Sequence, residues 1–191
     1  MEVRLSRKIT AVVYASLDGV IENPEWSVPY FNEQAAKRAR DTLFASDTLL
    51  LGRLTYEGFA QAWPTMPERP GLEGFAHRMN TLPKYVVSTT IEKTEWGPVT
   101  VIREDVVARV RALKEEPGGG ILIYGVGRLA HTLLEHGLLD ELEIWFHPVL
   151  VGTTAPGTQI VREGGKALLE LAEATTFDSG VAVLSYRPAS A

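Results

Sequence analysis

Two glycine-bounded turns carry most of the chemistry this chain could perform. Tyr124-Gly125-Val126-Gly127-Arg128-Leu129 follows the apolar run Ile121-Leu122-Ile123 and opens the helical pattern Leu129, Ala130, Leu133, Leu134. A strand that feeds such a turn into a helix leaves bare backbone N–H groups at a positive helix end, where a phosphate or pyrophosphate fits. Glycine suits the place because a Cβ would block both the turn and the close approach of a phosphate oxygen. Leu51-Gly52-Arg53-Leu54-Thr55 repeats the logic, with an arginine fork and a hydroxyl added to the backbone donors. A dinucleotide has two nucleotide halves joined by a pyrophosphate, so the pair is a more specific signal than either turn. Taken singly, each also reads as an unliganded strand–helix turn or cap.

Other residue types add less. Ser88-Thr89-Thr90 follows the strand-like Tyr85-Val86-Val87. Its hydroxyls suit an adenosine 2′-phosphate and equally suit a plain turn. Trp26, Tyr56 and Trp63 could wall a flat heterocycle, or simply pack in the core. His131 and His136 are five apart, and His77 and His147 lack near partners, which argues against a metal site. Ser16, Ser27 and Ser88 lack a Gly-x-Ser-x-Gly elbow, which argues against a hydrolase. The Gly-x-Gly lies late in the chain and lacks the third glycine and the acidic ribose clamp of the common dinucleotide fingerprint.

Elements able to position these turns are legible along the chain. Ile9 to Ser16 is nearly continuous apolar sequence, as in a strand covered on both faces, and Asp18-Gly19 ends it. Glu22 to Pro29 reads as a loop. Phe31, Ala35, Ala39 and Leu43 define one helical face. Thr48–Leu51, Lys84–Ser88, Val99–Ile102, Ile121–Tyr124 and Glu141–Val149 read as strands. Arg53 opens a short helix ending near Trp63-Pro64, and the polar stretch Pro64–Pro83 is a flap or holds a short helix around Phe75. Asp105 is placed to cap a helix, and Gly137 to end the one over Arg128–His136. Ala174–Phe177 and Val181–Tyr186 flank Asp178-Ser179-Gly180, a hairpin signal. The alternation predicts an α/β sheet, mainly parallel, with an antiparallel edge.

Composition narrows the function classes. A chain of 191 residues with 45% hydrophobic content suggests one domain, residues 1–191, with a real core. The net charge of −5 argues against a dedicated nucleic-acid binder. The absence of cysteine excludes disulfides and thiolate chemistry and fits the cytoplasm. No apolar run reaches membrane-span length, and Met1–Lys8 followed by Ile9–Ala15 reads as a buried first strand rather than a signal peptide. A homodimer is expected, paired through Leu138–Leu150 with Trp145 and Phe146.

In order along the chain stand Ala15-Ser16-Leu17-Asp18-Gly19, Leu51-Gly52-Arg53-Leu54-Thr55-Tyr56, Tyr124-Gly125-Val126-Gly127, Leu138-Leu139-Asp140-Glu141-Leu142 and His147-Pro148-Val149-Leu150-Val151-Gly152. This set resembles the reductase domain of riboflavin biosynthesis (the RibD C-terminal domain) and the wider dihydrofolate-reductase-like family, from about Arg7 to Arg187. The resemblance implies a twisted mixed sheet of eight or nine strands between helical layers, with NADPH across the strand ends. It implies that Gly52, Arg53 and Thr55 hold one part of the phosphate chain, and Ser88 and Thr89 the adenosine side. Gly125, Gly127, Arg128 and Leu129 would hold the pyrophosphate, with Asp18 beside nicotinamide and substrate.

Asp18 is the sole acid at the first strand end, and in an apolar pocket its protonated form would be favoured, as a proton donor requires. Dihydrofolate reductases carry Trp-x-x-Pro-x-acid; here Trp26-Ser27-Val28-Pro29-Tyr30-Phe31 puts Phe31 at the acid position. On a helix Glu33 would point roughly 200° away from Phe31. The basic or polar set that riboflavin reductases use for a ribose phosphate is also missing near this loop. Three functions stay open: an NADPH-dependent reductase of a small nitrogen heterocycle or its sugar phosphate, a dihydrofolate reductase, and a non-catalytic nucleotide sensor.

Overall fold

The computed structural model describes residues 6–152, 160 and 166–189; most of the charged Met1–Lys8 segment lies outside them. Five parallel crossovers build the sheet. Its strands are β1 (Ile9–Ser16), β2 (Ser46–Gly52), β3 (Lys84–Val87), β4 (Val99–Ile102), β5 (Gly120–Tyr124), β6 (Glu141–His147), β7 (Leu169–Thr176) and β8 (Ala182–Pro188). They lie in the order β4-β3-β2-β5-β1-β6-β8-β7. All pairs from β4 to β6 are parallel; β8 runs antiparallel to both β6 and β7. The central strands read as apolar runs because both faces are covered. Ile9, Ala11, Val13 and Ala15 of β1 enter one core, while Val12 enters the other.

Helices α1 (Glu33–Phe44), α2 (Arg53–Ala62) and α3 (Phe75–Thr81) cover the Val12 face. Helices α4 (Val106–Glu115) and α5 (Arg128–Glu135) cover the other. The result is a three-layer α/β fold with a terminal antiparallel hairpin, as expected. Every parallel strand therefore ends on one rim, at Ile102, Val87, Gly52, Tyr124, Ser16 and His147. Ligands of open α/β sheets bind at such carboxyl-terminal rims.

Local expectations need four corrections. The helix anticipated from Phe31 begins at Glu33, because the Asn32 side chain accepts the Ala35 N–H at 3.0 Å and caps it. Glu22–Pro29 is not all loop: Pro24–Tyr30 is a 3₁₀ helix. Asp105 stands at an N-cap position, but its backbone is left-handed (φ 49°) and its side chain makes no capping bond. Finally, β6 is interior, between β1 and β8, and Trp145 is 1% exposed. Trp145 is therefore a core side chain and not part of a pairing surface, while Phe146, on the opposite face of β6, is half-buried. The short helix around Phe75 is present.

Candidate functional site

Adjacent strands bring the two glycine turns together. Leu49 of β2 pairs with Leu122 of β5, and continuing that register brings Gly52 level with Gly125. Neighbouring strands lie about 4.8 Å apart, so the two helix mouths share one short stretch of rim. A Cβ added at Gly125 would come 4.0 Å from Thr55 Oγ1, which places the Thr55 hydroxyl between them. Gly125 has φ +87°, a conformation that suits glycine. Val126 points the other way and is buried in the core with Ala130 and Leu133, fixing the turn with its glycine backbone outward. Neither Gly52 nor Gly127, the N-cap residues of α2 and α5, has a side-chain capping bond, and a Cβ on either would meet nothing within 4 Å. The first-turn N–H groups of both helices are available to a ligand.

Flanking side chains complete this rim unevenly. Arg53 is turned back along α2 onto Glu57, at 3.0 and 3.1 Å. Such a half-exposed (i, i+4) pair is weak, so a phosphate can compete for the arginine. Arg128 is exposed, and Leu129 packs partly into the core. Ser88, 9% exposed, accepts the N–H groups of Thr90 and Ile91 and so closes the turn after β3. Thr89 is exposed. Arg103, unremarked in the sequence, grips that turn by donating to the carbonyls of Thr89 (3.2 Å) and Ile91 (3.0 Å). It lies just past β4, beside β3, and only the sheet order reveals that neighbourhood.

Asp18 occupies the opposite environment from the one expected. It accepts the Ser16 hydroxyl at 2.6 Å and the N–H groups of Val151 and Gly152 at 3.1 and 2.7 Å. These bonds, the Ser16 hydroxyl first, hold its carboxyl down at about 2. An acid that ionises so readily is not a proton donor near neutrality. Its visible work is to fasten the segment after β6 to the end of β1.

The expected aromatic wall divides. Tyr56 is 2% exposed, and its hydroxyl accepts the Trp96 N–H, so it belongs to the core. Trp26 packs edge-on against His147 at 5.3 Å, and burial pushes that imidazole below its usual range. Trp63 alone of the three lines the large cavity, of about 660 Å³, on the α1 side of the sheet. That volume suits a small-molecule site.

Tyr14, Phe31, Glu33, Trp63 and Arg69 all face this cavity. Phe31 and Glu33 are therefore not on opposite sides: Phe31 precedes the helix in extended backbone (φ −83°, ψ 94°), so helical spacing does not relate them. Val12 of β1 pairs with Tyr124, so Tyr14, two residues on, lies at the level of the Gly125–Gly127 turn. The cavity thus opens beside the glycine rim. Burial, assisted by the Glu143 carboxylate, raises the Tyr14 phenol above its ordinary value, so it keeps its proton. Among the described residues, no group of three or more His, Asp or Glu could hold a metal ion, and no helix is long and apolar enough to cross a membrane.

The chain belongs to the RibD C-terminal domain family, whose model matches residues 7–183. An uncharacterized Bacillus subtilis (strain 168) protein, YyaP, is 28% identical over 180 residues, covering 94% of both chains. The structure is similar to the Thermotoga maritima diaminohydroxyphosphoribosylaminopyrimidine deaminase/5-amino-6-(5-phosphoribosylamino)uracil reductase (TM-score 0.66, 12% identity), covering 96% of this chain and 57% of that one. It is also similar to the Saccharomyces riboflavin biosynthesis reductase Rib7 (TM-score 0.61, 16% identity), covering 99% and 93%. The fold is the dihydrofolate-reductase-like one.

Proposed function

We propose that the protein is an NADPH-dependent reductase of the riboflavin-biosynthesis type, acting on a small nitrogen heterocycle or its sugar phosphate. The observation that carries this reading is the pair of level, uncapped glycine mouths, Gly52 and Gly125–Gly127, beside a 660 Å³ cavity. Family membership and the reductase activities of the Thermotoga and Saccharomyces proteins support it.

When bound, NADPH would supply the hydride. Backbone donors of Gly52, Gly125 and Gly127, with Arg53, Thr55, Arg128 and Leu129 around them, would hold the phosphate chain. Thr89 and Arg103 would face the adenosine 2′-phosphate, across the turn that Ser88 closes. Tyr14, in the cavity lining and holding its proton, would orient the acceptor. Asp18 stays ionised and positions the segment after β6.

Thermal stabilisation tests the reading directly. NADPH at about 100 times its dissociation constant should add roughly 2.7 kcal/mol, with NADH giving less. No shift with either nucleotide would end the enzyme reading. Binding without turnover on any pterin or pyrimidine would favour a nucleotide sensor. Glu33 in the cavity keeps dihydrofolate reduction as a second reading, tested by dihydrofolate-dependent NADPH oxidation.

A further inference from the structure

A buried carboxylate lies one strand away from Tyr14, on the α1 side of the sheet. Glu143 of β6 is 2% exposed. It pairs with Val12 of β1, and Trp145, two residues on, pairs with Tyr14. Glu143 Oε2 accepts the Nε and Nη2 protons of Arg38, at 3.1 and 2.6 Å. Its other oxygen, Oε1, accepts the indole N–H of Trp145 at 2.6 Å. Arg38 also donates to Glu173 of β7, at 2.9 and 3.1 Å. One guanidinium thus ties α1 to β6 and to the edge hairpin. The same helix lines the cavity with Ala36 and Ala39.

Stability alone is a poor reason for such a pair, since apolar side chains of similar volume often serve a core as well or better. What the carboxylate supplies is one fixed arrangement. An indole can be turned over within its slot, and a hydrogen bond to its single N–H selects one of the two orientations. Trp145 is 1% exposed, and its ring lies 5.1 Å from the Tyr14 ring at 37°. His147, two residues further along β6, meets Tyr14 at 5.2 Å and 55°. The Tyr14 hydroxyl makes no hydrogen bond with any described residue. Among the described residues, the buried polar atoms without a partner are Trp26 Nε1 and Ser179 Oγ, so the Tyr14 oxygen is not sealed into the core. Ring packing, with Trp145 as its inner support, therefore sets where the phenol lies.

We propose that Glu143 is a positioning residue: it locks the Trp145 indole, and the locked indole fixes the Tyr14 ring in the cavity lining. The proposal rests on the reductase reading, in which Tyr14 orients the acceptor, and names what holds Tyr14 ready. Glu143 itself touches neither acceptor nor cofactor. Arg38 completes the device by holding the carboxylate from the α1 side.

The test uses the full chain labelled with fluorotyrosine, and the Tyr14 fluorine resonance is identified by its loss in Tyr14→Phe. Glu143→Gln should speed the flipping of the Tyr14 ring at least about tenfold, while Tyr85 on β3 keeps its own rate. Arg38→Met combined with Glu143→Leu buries no charge, and it should free the Tyr14 ring in the same way should Glu143→Gln fail to fold. A binding arm follows with saturating NADPH and two probes, quinazolin-4-one, whose carbonyl can accept the phenol proton, and quinazoline, which lacks it. The parent should prefer the carbonyl compound about tenfold, and Tyr14→Phe and Glu143→Gln should each erase most of that preference. Adding Glu143→Gln to Tyr14→Phe should change the preference no further. An unchanged Tyr14 flip rate in both charge-removing variants overturns the proposal. So does a preference that survives Glu143→Gln but not Tyr14→Phe, since a lowered melting temperature alone would make Glu143 a core residue only. A preference that survives Tyr14→Phe, or failure of NADPH to bind, removes the reductase reading instead, and the flip rates still decide what Glu143 does.

Discussion

The glycine rim and the cavity beside it recognise ligands by opposite means. Along the rim, the donors are backbone N–H groups at the starts of α2 and α5, and the side chains between them are absent or small. In the cavity, side chains from β1, the segment before α1, α1 itself, the end of α2 and α3 supply an apolar wall with a few charges. Backbone donors are indifferent to the rest of a ligand, so a rim of this kind suits a cofactor shared by many enzymes. A wall of side chains changes with each substitution, so substrate choice resides there.

Substitutions at the two regions should separate in the same way. Gly125→Val gives the largest effect. The left-handed backbone (φ +87°) strains any branched side chain, at roughly 1–3 kcal/mol, and the new methyls occupy the phosphate approach. NADPH affinity should fall by about 100-fold in a calorimetric titration, while circular dichroism still reports a folded protein. Tyr14→Phe comes next and lies on the cavity side. Turnover should fall roughly tenfold or more with NADPH affinity unchanged, measured as kcat against nucleotide Kd. Equal losses in both would merge the two regions into one and break the contrast.

Arg103→Ala sharpens the rim. Removing its grip on the Thr89 and Ile91 carbonyls should cost about tenfold in NADPH binding and little in NADH binding. An equal loss for both nucleotides would assign Arg103 to turn structure alone. The smallest effect is expected from Asp18→Asn. In the folded protein this carboxyl sits at about 2, below its ordinary 3.8, so its contribution is complete above about pH 4 and disappears as pH falls toward 2. The variant should therefore lose less melting temperature than the parent across that acid interval. Its NADPH affinity should stay within about twofold. A turnover profile showing an acid limb set by Asp18 near neutrality would contradict its ionised state.

The rim was legible because its signal is local. Gly52, Gly125 and Gly127 each lie within a few residues of the strand they end and the helix they start, and apolar periodicity marks both. The cavity was not, because residues far apart in sequence assemble it. Glu33 seemed to point away from Phe31 only on the assumption of a helix through both; Asn32 starts that helix one residue too late for the geometry to apply. Arg103 reaches the Ser88–Thr90 turn because β3 and β4 are neighbours, which spacing along the chain does not express. Asp18 misled for a related reason. Its partners at Val151 and Gly152 lie more than 130 residues away, and they turn a presumed apolar pocket into a set of donors. Tyr56 and Trp145 show the remaining ambiguity: an aromatic that could wall a ligand or face a partner copy is, by burial, part of the core.

Amide hydrogen exchange with and without NADPH tests the central claim most directly. Slowed exchange should concentrate at Arg53–Thr55 and Gly125–Leu129, the backbone donors of the two mouths, with the cavity-lining start of α1 little changed. Protection confined to other parts of the chain, or no protection at either turn at saturating nucleotide, would contradict the account.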